Sequence, residues 1–206
     1  MLIVLAANSQ TLVWQEEFNT GTSLSNDLWT YDFGDGCERG NCGWGNAELE
    51  YYTSRPENVR IENGNLVIEA RSENFGSRAF TSGRVKTEGR VHFKYGTLEA
   101  RIKIPNLANG LWPAFWTLGT IGGGWPSIGE IDVMEMGNQS ARLAGIINKQ
   151  VTFANHWSNN GTYNSTGSSI NSTVNLNDDY HIYKMVWNSQ SITMYLDGVS
   201  FYTFDI

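Results

Sequence analysis

Three acids crowd into six residues of the segment W-P-S-I-G-E-I-D-V-M-E, residues 125–135: Glu130, Asp132 and Glu135. Their neighbours Ile131, Val133, Met134 and Met136 read as a buried β-strand. Carboxylates avoid such positions, because burying one without a partner costs several kcal/mol or forces it to take up a proton. In a regular strand the side chains alternate, so Glu130 and Asp132 share a face and Glu135 points the other way. One extra residue, a β-bulge at Val133 or Met134, returns Glu135 to the face of the other two. Three carboxyls then line one side of a strand, with the outer pair placed for two-carboxylate glycoside chemistry. An edge strand with its acids in water is the plain alternative, and the apolar run speaks against it.

The elements that must hold this strand are themselves strands. No run of ten or more residues carries helical periodicity. Leu98, Ala100, Ile102 and Ile104 alternate with Glu99, Arg101 and Lys103, and Leu66, Ile68 and Ala70 alternate with Val67, Glu69 and Arg71. Residues 191–204 predict a hairpin that turns at Asp197-Gly198. Turn-rich stretches cover residues 33–46, 106–110, 119–124 and 159–172, the last long enough for a mobile surface loop. Antiparallel strands at this spacing predict an all-β fold, an antiparallel β-sandwich of the jelly-roll (concanavalin-like) type, one concave face of which can hold an extended chain.

Composition agrees with that picture. The 206 residues suit one domain; charged residues make up only 17 %, aromatics 13 %, and there are 22 glycines. With 14 basic against 21 acidic side chains the net charge is −7, which disfavours nucleic acid and anionic membranes as partners and accepts a neutral polymer. Residues 1–9 begin with an apolar run too short to span a bilayer and read as the remnant of a secretory signal, leaving 10–206 as the domain. Two cysteines, Cys37 and Cys42, are too few for a zinc site. A small-loop disulfide and two free thiols remain open alternatives.

The acid segment resembles the catalytic strand of glycoside hydrolase family 16, in the form with an extra Met found in its laminarinase-like endo-β-1,3-glucanase branch. Further blocks resemble that branch in order: G-W-G-N-A-E-L-E-Y-Y-T (43–53), S-G-R-V-K-T (82–87), G-L-W-P-A-F-W-T-L-G (110–119) and N-H-W (155–157). The resemblance implies Glu130 as nucleophile, Glu135 as general acid and base, and Asp132 between them as a proton-sharing neighbour. It implies Trp112 and Trp116, four apart on one strand face, as a sugar platform, with Trp125 a weaker candidate. Asn46 and Arg84 would bond sugar hydroxyls, and His156 would sit beside the acid/base. For Arg84 a surface salt bridge is the competing reading, and for His156 a buried structural role.

The function so implied is a secreted, monomeric, retaining hydrolase of laminarin-like glucan that needs no cofactor or metal for catalysis. Mixed-linkage β-1,3-1,4-glucan or an algal galactan is the alternative substrate, and a non-catalytic carbohydrate-binding sandwich the alternative class. The family resemblance further implies strands beyond Ile206, so the catalytic domain is expected to be shortened at its C-terminus. A structural calcium of the family, built from Glu17 and the backbone near Gly64, is expected to be incomplete for the same reason.

Overall fold

The computed structural model describes residues 10–107 and 110–206, so the signal remnant expected at 1–9 lies outside the described residues. Among them, no helix is long and apolar enough to cross a membrane. The chain falls into two compact units, one ending at His92 and the other beginning at Phe93.

The first unit carries short strands: β1 (Thr30–Tyr31), β2 (Glu50–Tyr52), β3 (Val59–Glu62), β4 (Asn65–Ile68), β5 (Arg71–Phe75), β6 (Arg78–Ser82) and β7 (Val85–Lys86). β3 and β4 form a hairpin whose turn residues Asn63 and Gly64 both adopt positive φ, as a two-residue hairpin turn requires. The β2–β6 pair is parallel, which departs from the wholly antiparallel expectation. The single strand expected over residues 66–71 is two strands. Buried Asn58 interrupts it: its backbone O accepts from the Glu69 N–H at 2.8 Å, and its Nδ2 donates to the Glu69 carbonyl at 3.0 Å. With both main-chain groups of Glu69 engaged, the chain leaves β3 and pairs again only as β5 against β6. Cys37 and Cys42 are bonded to each other in the turn-rich stretch of residues 33–46.

The second unit holds β8 (Gly96–Ile102), β9 (Ala114–Leu118), β10 (Glu130–Glu135), the short helix α1 (Gln139–Leu143), β11 (Gln150–Asn159), β12 (Thr162–Asn171), β13 (His181–Trp187), β14 (Ser191–Leu196) and β15 (Val199–Asp205). They make two four-stranded antiparallel sheets, ordered β12-β11-β10-β9 and β15-β14-β13-β8. The sheets pack face to face over one core: Val133, Met134, Val151 and Phe153 from the first meet Tyr183, Met185, Ile192, Met194 and Leu196 from the second. Phe153 stacks on Phe201 with ring centroids 3.9 Å apart.

The expected strand around residues 98–102 and the hairpin at Asp197-Gly198 are both present. The loop expected over 159–172 is instead β12, paired with β11 along its whole length. Its turn is Asn160-Gly161, with both residues at positive φ. Hydroxyl and amide side chains dominate β12 because it is an edge strand with little core to bury.

Truncating Phe153 to alanine should lower the unfolding free energy by about 3–5 kcal/mol, since a large ring is removed from a site that cannot collapse. A urea melt of the variant beside the parent chain measures this, and a loss below about 1 kcal/mol would mean the two sheets do not share this core.

Candidate active site

The register of β10 decides where its acids point. Against β9, Glu130 pairs with Leu118 and Asp132 with Trp116, but Met134 then pairs with Phe115 and Glu135 with Ala114. Against β11, Glu130 pairs with His156, Asp132 with Ala154, and Glu135 with Thr152. Both ladders slip by one residue between Asp132 and Met134 or Glu135, so the bulge expected at Val133 or Met134 is there. Val133 and Met134 both enter the core, and Glu135 returns to the face of Glu130 and Asp132. That face is shared with Trp116, Thr152, Ala154 and His156, whose residues lie directly opposite the acids. It opens beside a concavity of about 470 Å³ lined by Asn138, Thr152, Ala154, His156, Ser165 and Gly167, among others.

The acids are crowded enough to disturb one another. Burial, then the charges of Glu135 and Glu130, push the Asp132 carboxyl far above the usual carboxylate range, and a hydrogen bond to Glu130 adds to the rise. Burial also raises Glu135. A hydrogen bond from Trp112 Nε1 to Glu135 Oε1 (3.1 Å) pulls the other way, the Glu130 charge adds to the rise, and His156 opposes it. One polar atom from each of Glu130, Asp132 and His156 lies within 4.8 Å of the other two. This is the only trio of metal-binding side-chain types among the described residues; their contacts with each other account for the grouping, and no step is assigned to a metal.

Aromatic rings border the acids. Trp112 and Trp125 are about half exposed. Trp125 lies 5.3 Å, ring to ring, from Tyr163 and 6.2 Å from His156. Trp112, expected on the strand of Trp116, lies outside it. Pro113, which lacks an N–H, separates it from β9, and the Trp112 side chain instead lies against Gly137 and reaches Glu135. Trp116 is half-buried opposite Asp132.

An acid triad turned onto one sheet face by a bulge, rimmed by tryptophans, agrees with the comparison of this chain with known proteins. The sequence pattern of glycosyl hydrolases family 16 matches residues 46–205. The chain belongs to that family. It is 35 % identical to "Glucan endo-1,3-beta-glucosidase A1" of Niallia circulans over 96 % of this chain and 30 % of that protein. It is 37 % identical to "Beta-glucanase" of Rhodothermus marinus over 94 % of this chain and 65 % of that one. The chain thus spans between 30 % and 65 % of these relatives' length. Among solved structures it resembles the laminarinase catalytic domain of Thermotoga maritima MSB8, with a TM-score of 0.81 and 37 % identity over 95 % of this chain and 77 % of that chain. The all-β fold of this family 16 chain is therefore shared with a known laminarinase domain.

Asn46 and Arg84 belong to the first unit. Asn46 is exposed and donates from Nδ2 to Glu48 Oε1 at 3.4 Å. Arg84 is more than a surface salt bridge: its Nε lies 3.1 Å from buried Asp32, its guanidinium sits 4.9 Å over the Trp44 ring, and Glu48 is 3.7 Å away. Glu17 is exposed and belongs to no group of three metal-binding side chains among the described residues. No part in the chemistry is given to calcium. The residue that sequence reasoning passed over is Tyr163, because its strand was read as loop; the Asn160-Gly161 pair was the available signal.

Two outcomes are expected. A carboxyl raised in the folded state keeps a proton that the unfolded chain releases, so Asp132 costs nothing below the ordinary carboxylate pKa and destabilises increasingly as pH rises above it. Asp132→Asn should therefore be more stable than the parent at neutral pH, by about 1–3 kcal/mol, with the gap closing in acid; thermal melts from pH 3 to pH 8 read both. Trp112→Phe removes the bond that favours ionised Glu135, so the alkaline limb of kcat/KM should move to higher pH. A limb that moves down, or stays, would deny Glu135 the part of general acid.

Proposed function

We propose that the chain is the catalytic part of a secreted, monomeric endo-β-1,3-glucanase that cleaves laminarin-like glucan with retention, without a cofactor. The bulged β10, which gathers Glu130, Asp132 and Glu135 on one face, carries this reading. A pure binding sandwich needs only the exposed tryptophans and gains nothing from desolvated acids. The names of the relatives support a β-1,3-glucan as substrate, and the acidic balance supports a neutral polymer. The family match runs through both compact units, which supports treating residues 10–206 as one catalytic domain.

In the first step Glu130 attacks the anomeric carbon while Glu135, whose protonated form burial favours, gives its proton to the departing glycosidic oxygen. The C–O bond to the leaving sugar breaks as the glycosyl–Glu130 ester forms. Glu135, now a carboxylate, takes a proton from water; the hydroxide oxygen attacks the same carbon, and Glu130 leaves as a carboxylate. Two inversions return the β configuration. Burial, its acidic neighbours and a hydrogen bond to Glu130 favour the neutral form of Asp132, which spares the site two adjacent full charges at rest. Trp112 and Trp125 offer ring faces to the CH-rich faces of the sugars.

Glu130→Ala should cut laminarin turnover by a factor on the order of 10⁴–10⁶ while glucan binding survives, and azide should restore cleavage with an α-glycosyl azide as product. Proton NMR of fresh wild-type product should show the β-anomer first. An initial α-anomer would exclude double displacement, and activity confined to mixed-linkage glucan or agar in a reducing-sugar panel would overturn the substrate.

A further inference from the structure

We propose that Tyr163 is a positioning residue for the acid cluster, its hydroxyl donating to His156 Nδ1 and so keeping the single proton of the neutral ring on Nε2. Tyr163 sits on β12 just after the Asn160-Gly161 turn, and its side chain crosses to β11. Its Oη lies 2.8 Å from His156 Nδ1, and the two rings stack 9° from parallel at 5.9 Å. The other ring nitrogen, Nε2, lies 3.1 Å from Asp132 Oδ2. That oxygen is buried and has no donor aligned for a hydrogen bond, so it needs an N–H and the imidazole is the group within reach.

For the neutral ring, donor bookkeeping leaves one consistent arrangement. The hydrogen bond from Asp132 to Glu130 uses the other oxygen, since Oδ2 has no aligned partner, which leaves Oδ2 to accept. An N–H facing it must be Nε2–H, and neutral imidazole then offers Nδ1 only as an acceptor. The sole hydroxyl at Nδ1 is that of Tyr163, which therefore donates. The result is a directed chain, Tyr163 to His156 to Asp132 to Glu130, in which each group gives one hydrogen to the next. Without the hydroxyl, Nδ1 can take the proton. Nε2 then presents a lone pair to Asp132 and draws its proton away from Glu130. The groups facing His156 are Glu130, Asp132 and Glu135 from β10, Ser165 and Tyr163 from β12, and Trp125 from the loop before β10.

This deepens the hydrolase reading and rests on it, yet the tautomer can be read without substrate. Long-range ¹H–¹⁵N correlation of histidine-labelled wild-type chain at neutral pH should show His156, assigned by the peaks lost in His156→Gln, as the Nε2–H form. His181 gives a contrast in the same sample, because its Nδ1 lies 2.7 Å from Asp197 Oδ2 and must carry a proton. Tyr163→Phe keeps the ring and should move His156 off the pure Nε2–H form, with kcat on laminarin falling about tenfold and KM within about twofold. A wild-type Nδ1–H ring, a tautomer unchanged in Tyr163→Phe, or an effect on KM alone would each overturn the proposal. If the tautomer behaves as stated while the wild type leaves laminarin intact, the positioning chain stands and the substrate falls.

Discussion

Everything on the catalytic face depends on one surplus residue in β10. A strand has a side-chain period of two, and its core face here is packed against the facing sheet, so no residue can change sides without breaking that packing. The bulge at Val133–Met134 shifts register against both neighbouring strands at once, sends two apolar side chains into the core, and returns Glu135 to the open side. The same local irregularity thus serves packing and chemistry. Removing the slip would exchange a methionine for a carboxylate in a mostly apolar layer, which ties the position of the acid to the stability of the sandwich.

The setting of the acids follows from the layers around them. One face of the β9–β12 sheet is dry because Val133, Met134, Val151 and Phe153 close on the opposite sheet; the other opens to the concavity beside His156 and Thr152. Three carboxyls between those surroundings cannot all ionise cheaply. Burial and mutual repulsion raise both Asp132 and Glu135, while Trp112 and His156 limit the rise at Glu135. A single proton moving within such a cluster belongs to the cluster as a whole. That is the condition two-carboxylate hydrolysis asks for, one group able to give a proton while its neighbour attacks.

Legibility varied with how local the deciding force was. The strand at 98–102 and the hairpin at Asp197-Gly198 were readable because alternation and turn chemistry lie within a few residues. Asn160-Gly161 carried the same turn signal, but the polar side chains after it suggested a loop; edge position, which no local pattern records, makes that composition acceptable in β12. The break at Glu69 came from Asn58, eleven residues away, bonding both of its main-chain groups. Trp112 kept its place near the acids and lost its expected place on the strand, because Pro113 cannot donate to the ladder and Gly137 leaves room for the indole.

The chain by itself determined an all-β protein, the strand that bears the acids, and the need for one extra residue between Asp132 and Glu135. These rest on alternation, spacing and the cost of a buried charge, all of which act between near neighbours along the chain. Tertiary structure alone decided that His156 and Tyr163 reach each other from adjacent strands and that Asp132 Oδ2 is left facing the imidazole. Such contacts depend on pairing register and sheet order, set by the packing of the whole core and written in no single stretch of residues.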